Sequence, residues 1–262
     1  MLYQAIYIMW GLKKMFNIFK KKKEEKIIWW SVVEGLIDVE PIVPAKYALP
    51  DWWKRVQKVT GPRVKNKGAI ANCPSFPEFM SSGYVVKLWC DLHLDIKTNG
   101  EWKWRSPSEM YQFDSHPDAQ FRDFIPKHMK DNTSLVLKPN CPWRVKTPPG
   151  WSVMQLPMTY HYNPYFEVLP GVIWSDIHHE INQQMLIKKY GEFIIPKGTP
   201  LAMYIPFKRE RLDYEIQQPN DENMGWARRA FLHVNSSFGG GYQKSQALQR
   251  QRLQGKCPFH KE

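Results

Sequence analysis

Cysteine is scarce in this 262-residue chain: only four are present, at 73, 90, 141 and 257, and no two form a C-x-x-C pair. Nothing in that spacing demands a disulfide framework or a zinc knuckle. Cys257 and His260 have a C-x-x-H spacing, but two ligands in a polar tail do not close a tetrahedral site. The cysteines are therefore read as reduced and structural. Long apolar runs are missing as well. The opening LYQAIYIMWGL is apolar for only eleven residues, whereas a membrane-spanning helix needs about 20. Its positive charge follows the apolar run and no small-residue cleavage site appears, so no signal peptide is expected.

Acidic residues are in deficit, 25 against 37 Lys and Arg, for a formal charge of +12. The excess lies mainly at the ends. Residues 1–26 contribute +5 and residues 208–262 contribute +4, which leaves a nearly neutral body. Such a distribution argues against a dedicated duplex-reading face. The termini are expected to make only weak contact with nucleic acid or anionic membrane. Residues 1–26 are read as a disordered basic leader, with Met1 and Met15 as alternative starts.

What is abundant is the aromatic and turn-forming set: 12 Trp, 12 Tyr, 13 Phe, 21 Pro and 15 Gly. Short strands joined by many turns suit that composition better than long helices. The expected fold is mainly β, a β-clip-like, partly closed barrel with a hairpin-containing N-terminal half and short peripheral helices. The expected organisation is a β-rich half over 27–134 with a long loop, a β-clip-like half over 135–215, and a helical, Gly-rich basic tail over 216–262. Residues 27–215 are allowed as one domain.

Asp51 is placed to cap a helix carrying Trp52 and Trp53, which are read as anchors beneath a loop. Further helices are expected near 117–124, 223–233 and within QKSQALQRQRLQGK. In the stretch around Asn99-Gly100 only a three-residue loop, with Gly100 left-handed, separates the faces. It pairs Lys97 with Glu101, Ile96 with Trp102, Asp95 with Lys103, Leu94 with Trp104 and His93 with Arg105.

His93-Leu94-Asp95 matches the H-x-D element of iron and 2-oxoglutarate oxygenases, with His161, His178 and His179 as third-ligand candidates. The charge-paired register accounts for His93 and Asp95 without metal. The densest titratable cluster is Asp176, His178, His179 and Glu180. Strand alternation would put Asp176, His178 and Glu180 on one face, as a small ligand site or a polar subunit contact.

The ordered phrases PPGWSVMQLPM, LPGVIWSDIHHEIN, IPKGTPLAMYIPF and SSFGGGY, over residues 146–242, resemble the motif succession of trimeric dUTPases and dCTP deaminases. The resemblance implies a trimer and a nucleotide pocket involving Gly171, Asp176, His178, Glu180, Phe238, Gly239 and Gly240. It fails where chemistry is needed. Gln155-Leu156-Pro157-Met158 replaces the phosphate-binding Arg-Ser, and Trp174 replaces the water-orienting aspartate. LPDWWK, CPSFPEFMSSGYVVKLWCD and IPKGTPLAMYIPFKRE also resemble proteins of tailed phages, especially those of marine cyanobacteria. A phage-encoded, non-catalytic binding protein of the infected host's cytoplasm or of the virion is the expectation, with a host or virion protein as its partner. The alternative is a divergent nucleotide hydrolase or deaminase, or an iron oxygenase.

Overall fold

A computed structural model of the protein describes residues 25–59, 70, 75–235 and 241–253. The basic leader up to residue 24, and Phe238, Gly239 and Gly240, lie outside the described residues. The chain forms two compact units, one of residues 1–42 and 84–209 and the other of residues 43–83 and 210–262.

The strands in chain order are β1 (Ile28–Ser31), the two-residue β2 (Val43–Pro44) of the second unit, β3 (Tyr84–Lys87), β4 (Leu92–Ile96) and β5 (Trp102–Arg105). β6 (Phe113–Ser115), β7 (Leu135–Lys146), β8 (Trp151–Pro157), β9 (Phe166–Val168) and β10 (Gly171–Ile173) follow. The series closes with β11 (Glu180–Asn182), β12 (Met185–Ile187), β13 (Gly191–Ile195) and β14 (Pro200–Lys208). The protein is mainly β: antiparallel sheets with few short helices, and no closed barrel among the described residues.

In the first unit one sheet runs β1-β7-β12-β9, with β6 and β11 also on β7; a second runs β10-β8-β14-β3; a third runs β13-β4-β5. The chain changes sheet at most of its turns, so one core draws on all three. Val86, Leu94, Leu137, Met185, Ile195 and Tyr204 belong to it and are almost fully buried. Each such aliphatic side chain contributes about 1.5–3 kcal/mol by leaving water.

The two expected halves share their sheets. β3 pairs with β14, β4 with β13 and β1 with β7, so strands from 27–134 and 135–215 interleave. β7 is the longest strand, 12 residues, where SLVLKPN and CPWRVK read as two. Pro139 and Pro142 are tolerated because the partners change there. β12 and β6 flank residues 135–139, while β1 and β11 flank the C-terminal part.

The phrase PKGT is a corner. Gly198 has φ 81°, and the Thr199 N–H donates to Pro196 O at 3.2 Å. β13 and β14 do not pair with each other; the turn carries the chain from one sheet to another. Beside it runs a second crossing, Leu88–Asp91, between β3 and β4. Leu88 N–H donates to Thr199 O at 2.8 Å, and Gly198 N–H donates to Leu88 O at 2.7 Å. The two crossings thus form one hydrogen-bonded corner, with Trp89 buried beneath it.

In the second unit a helix spans Asp51–Val59 and another Ser75–Ser81. Trp53 is buried, 5.1 Å from the Phe76 ring, with Trp52 edge-on beside both. Helices Asp221–Asn235 and Gly241–Leu253 occupy the positions expected of the tail. Over 117–124 the chain makes two 3-10 turns in place of one helix, Asp118–Gln120 and Arg122–Phe124. Phe121, at φ −150°, interrupts the helical path between them.

Candidate functional site

The chemistry-bearing motif begins at β10, an edge strand whose Gly171 lies opposite Gln155. A Cβ at Gly171 would meet nothing within 4 Å, so no close approach dictates glycine there. After Ile173 the chain does not continue as a strand. Ile177 and His178 both donate their N–H groups to Trp174 O, at 2.9 and 2.8 Å, closing a tight turn. The alternation that would align Asp176, His178 and Glu180 is therefore broken, and the three side chains go to different places.

Asp176 is the hub of a clamp. Arg209 donates from both terminal nitrogens to its two carboxylate oxygens, the Nη1 bond being 2.7 Å, and Gly150 N–H donates to Oδ2 at 2.9 Å. Arg209 Nη1 also donates to Trp151 O and Ser152 Oγ, both at 2.8 Å, and the guanidinium lies 4.3 Å from the Trp174 ring centroid. The clamp joins the Pro148-Pro149-Gly150 turn, the Trp174 turn and the end of β14. It accounts structurally for the motifs PPGW, VIWSD and FKRE.

The bonds from Arg209 hold the Asp176 carboxyl down to about 2 from 3.8, against an opposing effect of burial. A carboxyl depressed by folding stabilises the native state above its ordinary pKa, and that contribution is lost as pH falls through the folded value. Native stability is expected to decline as pH drops from about 3.8 to about 2. Asp176→Asn should lack that part of the slope. Thermal midpoints of both proteins across this range test the assignment; parallel curves would contradict it.

His178 is exposed. His179 is half-buried, donating from Nδ1 to Ser175 O at 3.1 Å with its ring edge-on to Trp30. Glu180 begins β11 and accepts from Arg144 Nη2 at 3.3 Å. Arg144 is in turn held by Cys141 O, at 2.6 Å from Nη1. This pair lies in a polar cleft of about 430 Å³ along the middle of β7, lined by Trp104, Gln112, Lys138, Asn140 and Asn182 among others. Cys141 beneath it is buried, and burial pushes its thiol up to about 12, as it does that of Cys90. Both are the inert, structural kind of cysteine.

The hairpin register is as its faces require: Ile96 opposite Trp102, Asp95 opposite Lys103, Leu94 opposite Trp104 and His93 opposite Arg105. Lys97 N–H donates to Glu101 O, and Gly100 sits at φ 90°. The charged face is completed by β13, which the sequence did not place there. His93 Nε2 donates to Glu192 Oε1 at 2.7 Å, Arg105 is 3.8 Å from the same oxygen, and Lys97 Nζ is 2.9 Å from Asp95 Oδ1. His93, Asp95, Arg105 and Glu192 line a shallow depression of about 700 Å³. Among the described residues no group of three or more His, Cys, Asp or Glu is placed to hold a metal ion.

Two residues that sequence reasoning passed over prove central. Arg209 was one basic residue among several after β14, and Glu192 had no marker beyond its place in an alternating strand. No protein-family model matches the chain, and no curated protein matches it. Among the described residues no helix is long and apolar enough to cross a membrane.

Proposed function

We propose that this is a phage-encoded interaction protein, binding a host or virion partner in the infected cell or the particle without catalysing a reaction. The observation that carries it is the engagement of the residues that a dUTPase-like site would need. Asp176 is held by Arg209 in a bidentate pair, which leaves it a poor proton acceptor at neutral pH. Trp174 stands at the water-orienting position and stacks on that same Arg209. Gln155, at the phosphate-donor position, is 2% exposed and spends its amide on Tyr204 and Leu169 O.

The phage origin rests on the shared phrases along the chain, and the binding role on a scaffold whose motif positions hold structural pairs in place of reactive groups. Purified protein incubated with dUTP or dCTP and magnesium is expected to release pyrophosphate or ammonia no faster than buffer does. Turnover abolished by Asp176→Asn would overturn the reading.

A further inference from the structure

After β14 the chain leaves the clamp at Arg209 and runs without turn or helix to Asn220, where the helix Asp221–Asn235 begins. Three large apolar side chains stand here in open solvent: Leu212 is 84% exposed, Tyr214 88% and Ile216 88%. They alternate with Asp213 and Glu215. Residues 211–216 make no hydrogen bond and no ion pair among the described residues, so their backbone donors and acceptors are open as well. Strict two-residue alternation of apolar and acidic groups is the pattern of a half-buried strand. A linker with no role other than connection does not need it.

One edge of the first unit fits that pattern. β5 pairs on one side with β4, and its other side is the end of the three-stranded sheet β13-β4-β5. Its side chains alternate in the complementary sense. Trp102 and Trp104 are half-buried against the core, while Lys103 and Arg105 are exposed on the opposite face. Lys103 has no ion pair among the described residues, and Arg105 has only the 3.8 Å approach to Glu192. Two cations two residues apart thus face outward on an open edge, and the arm carries two carboxylates at the same spacing.

We infer that residues 211–217 of one copy of this chain add as an antiparallel strand to the β5 edge of a second copy. The register that satisfies both faces sets Asp213 opposite Arg105, Tyr214 opposite Trp104, Glu215 opposite Lys103 and Ile216 opposite Trp102. Acid then meets base on the outer face, and aromatic and aliphatic groups extend the tryptophan face on the other. The added strand satisfies the edge's open backbone groups, the recognition mode of β-augmentation. A second copy is the occupant because the arm's two carboxylates stand at the spacing of the two cations on β5, so that two identical chains complement each other.

Sedimentation or light scattering of the full-length chain across a concentration series tests this. Self-association is expected, weakening as salt is raised. Lys103→Glu with Arg105→Glu should weaken it about tenfold or more, as should Asp213→Lys with Glu215→Lys. Combining all four substitutions should restore it. Tyr214→Pro removes a backbone donor from a segment that is exposed and unbonded, so it should abolish association while the circular dichroism spectrum stays unchanged. A monomer at every concentration, or association indifferent to both charge reversals and to Tyr214→Pro, would overturn the inference.

Discussion

Replacing Trp89 by alanine is expected to destabilise the protein by about 3–5 kcal/mol, the range for deleting a large aromatic from a closed core. Trp89 is 2% exposed and lies in the crossing between β3 and β4. Its ring stacks on Phe113 at 6.2 Å between centroids and is tilted against Tyr111 at 6.4 Å. The void left by alanine would sit beneath the corner where Leu88 bonds to Gly198 and Thr199. Backbone collapse into the space is opposed by those bonds, so most of the cavity should persist. The indole N–H has no hydrogen-bond partner among the described residues. Phenylalanine at this position removes that orphaned donor along with part of the volume, and should lose well under half as much stability. Urea denaturation of the two variants checks the ordering; equal losses would show that shape outweighs the unpaired donor.

Tyr204→Phe is expected to cost about 2–4 kcal/mol although it removes one oxygen atom, because two buried amides lose their partner at once. The Tyr204 hydroxyl accepts from Gln183 Nε2 at 2.9 Å and donates to Gln155 Oε1 at 2.8 Å, and Gln155 Nε2 donates onward to Leu169 O. All three side chains are buried, and burial raises the phenol well above its usual pKa. Gln183 Oε1 has no partner among the described residues even in the native arrangement. Replacing Tyr204 by Phe with Gln155 and Gln183 both changed to Leu should recover much of the loss, since an apolar core is better than a half-satisfied polar one. If the single substitution proves neutral by equilibrium denaturation, the chain of bonds is not stabilising the fold.

How far the sequence disclosed this molecule depends on how local the information was. The register of β4 against β5 was legible because Asn99-Gly100 fixed the turn and only one pairing separated Trp102 and Trp104 from Lys103 and Arg105. The helix at Asp51 and the two tail helices were legible, the first from the acidic residue that stands in its first turn. Partners brought from far along the chain were not. Glu192 reaches His93 only because β13 docks on β4, nothing local marking that choice, and Arg209 reaches Asp176 only because the end of β14 returns to the Pro148 turn.

The cluster at 176–180 misled for a different reason. Alternation presumes a continuous strand, whereas Trp174 O captures two N–H groups and bends the chain before His178. At the turns that the dUTPase-like phrases mark, Asp176 bonds to Arg209 and Gln155 to Tyr204.

β7 has a consequence for how the protein is made. It is flanked by β1, β6, β11 and β12, and the register sets Ser31 opposite Trp143. At a synthesis rate of about 5–20 residues per second, β1 emerges from the ribosome several seconds before its partner does. During that interval Trp29 and Trp30 have no sheet to join. Nascent chains halted before residue 143 should accordingly bind holdase chaperones, and those extended past Lys208 should release them.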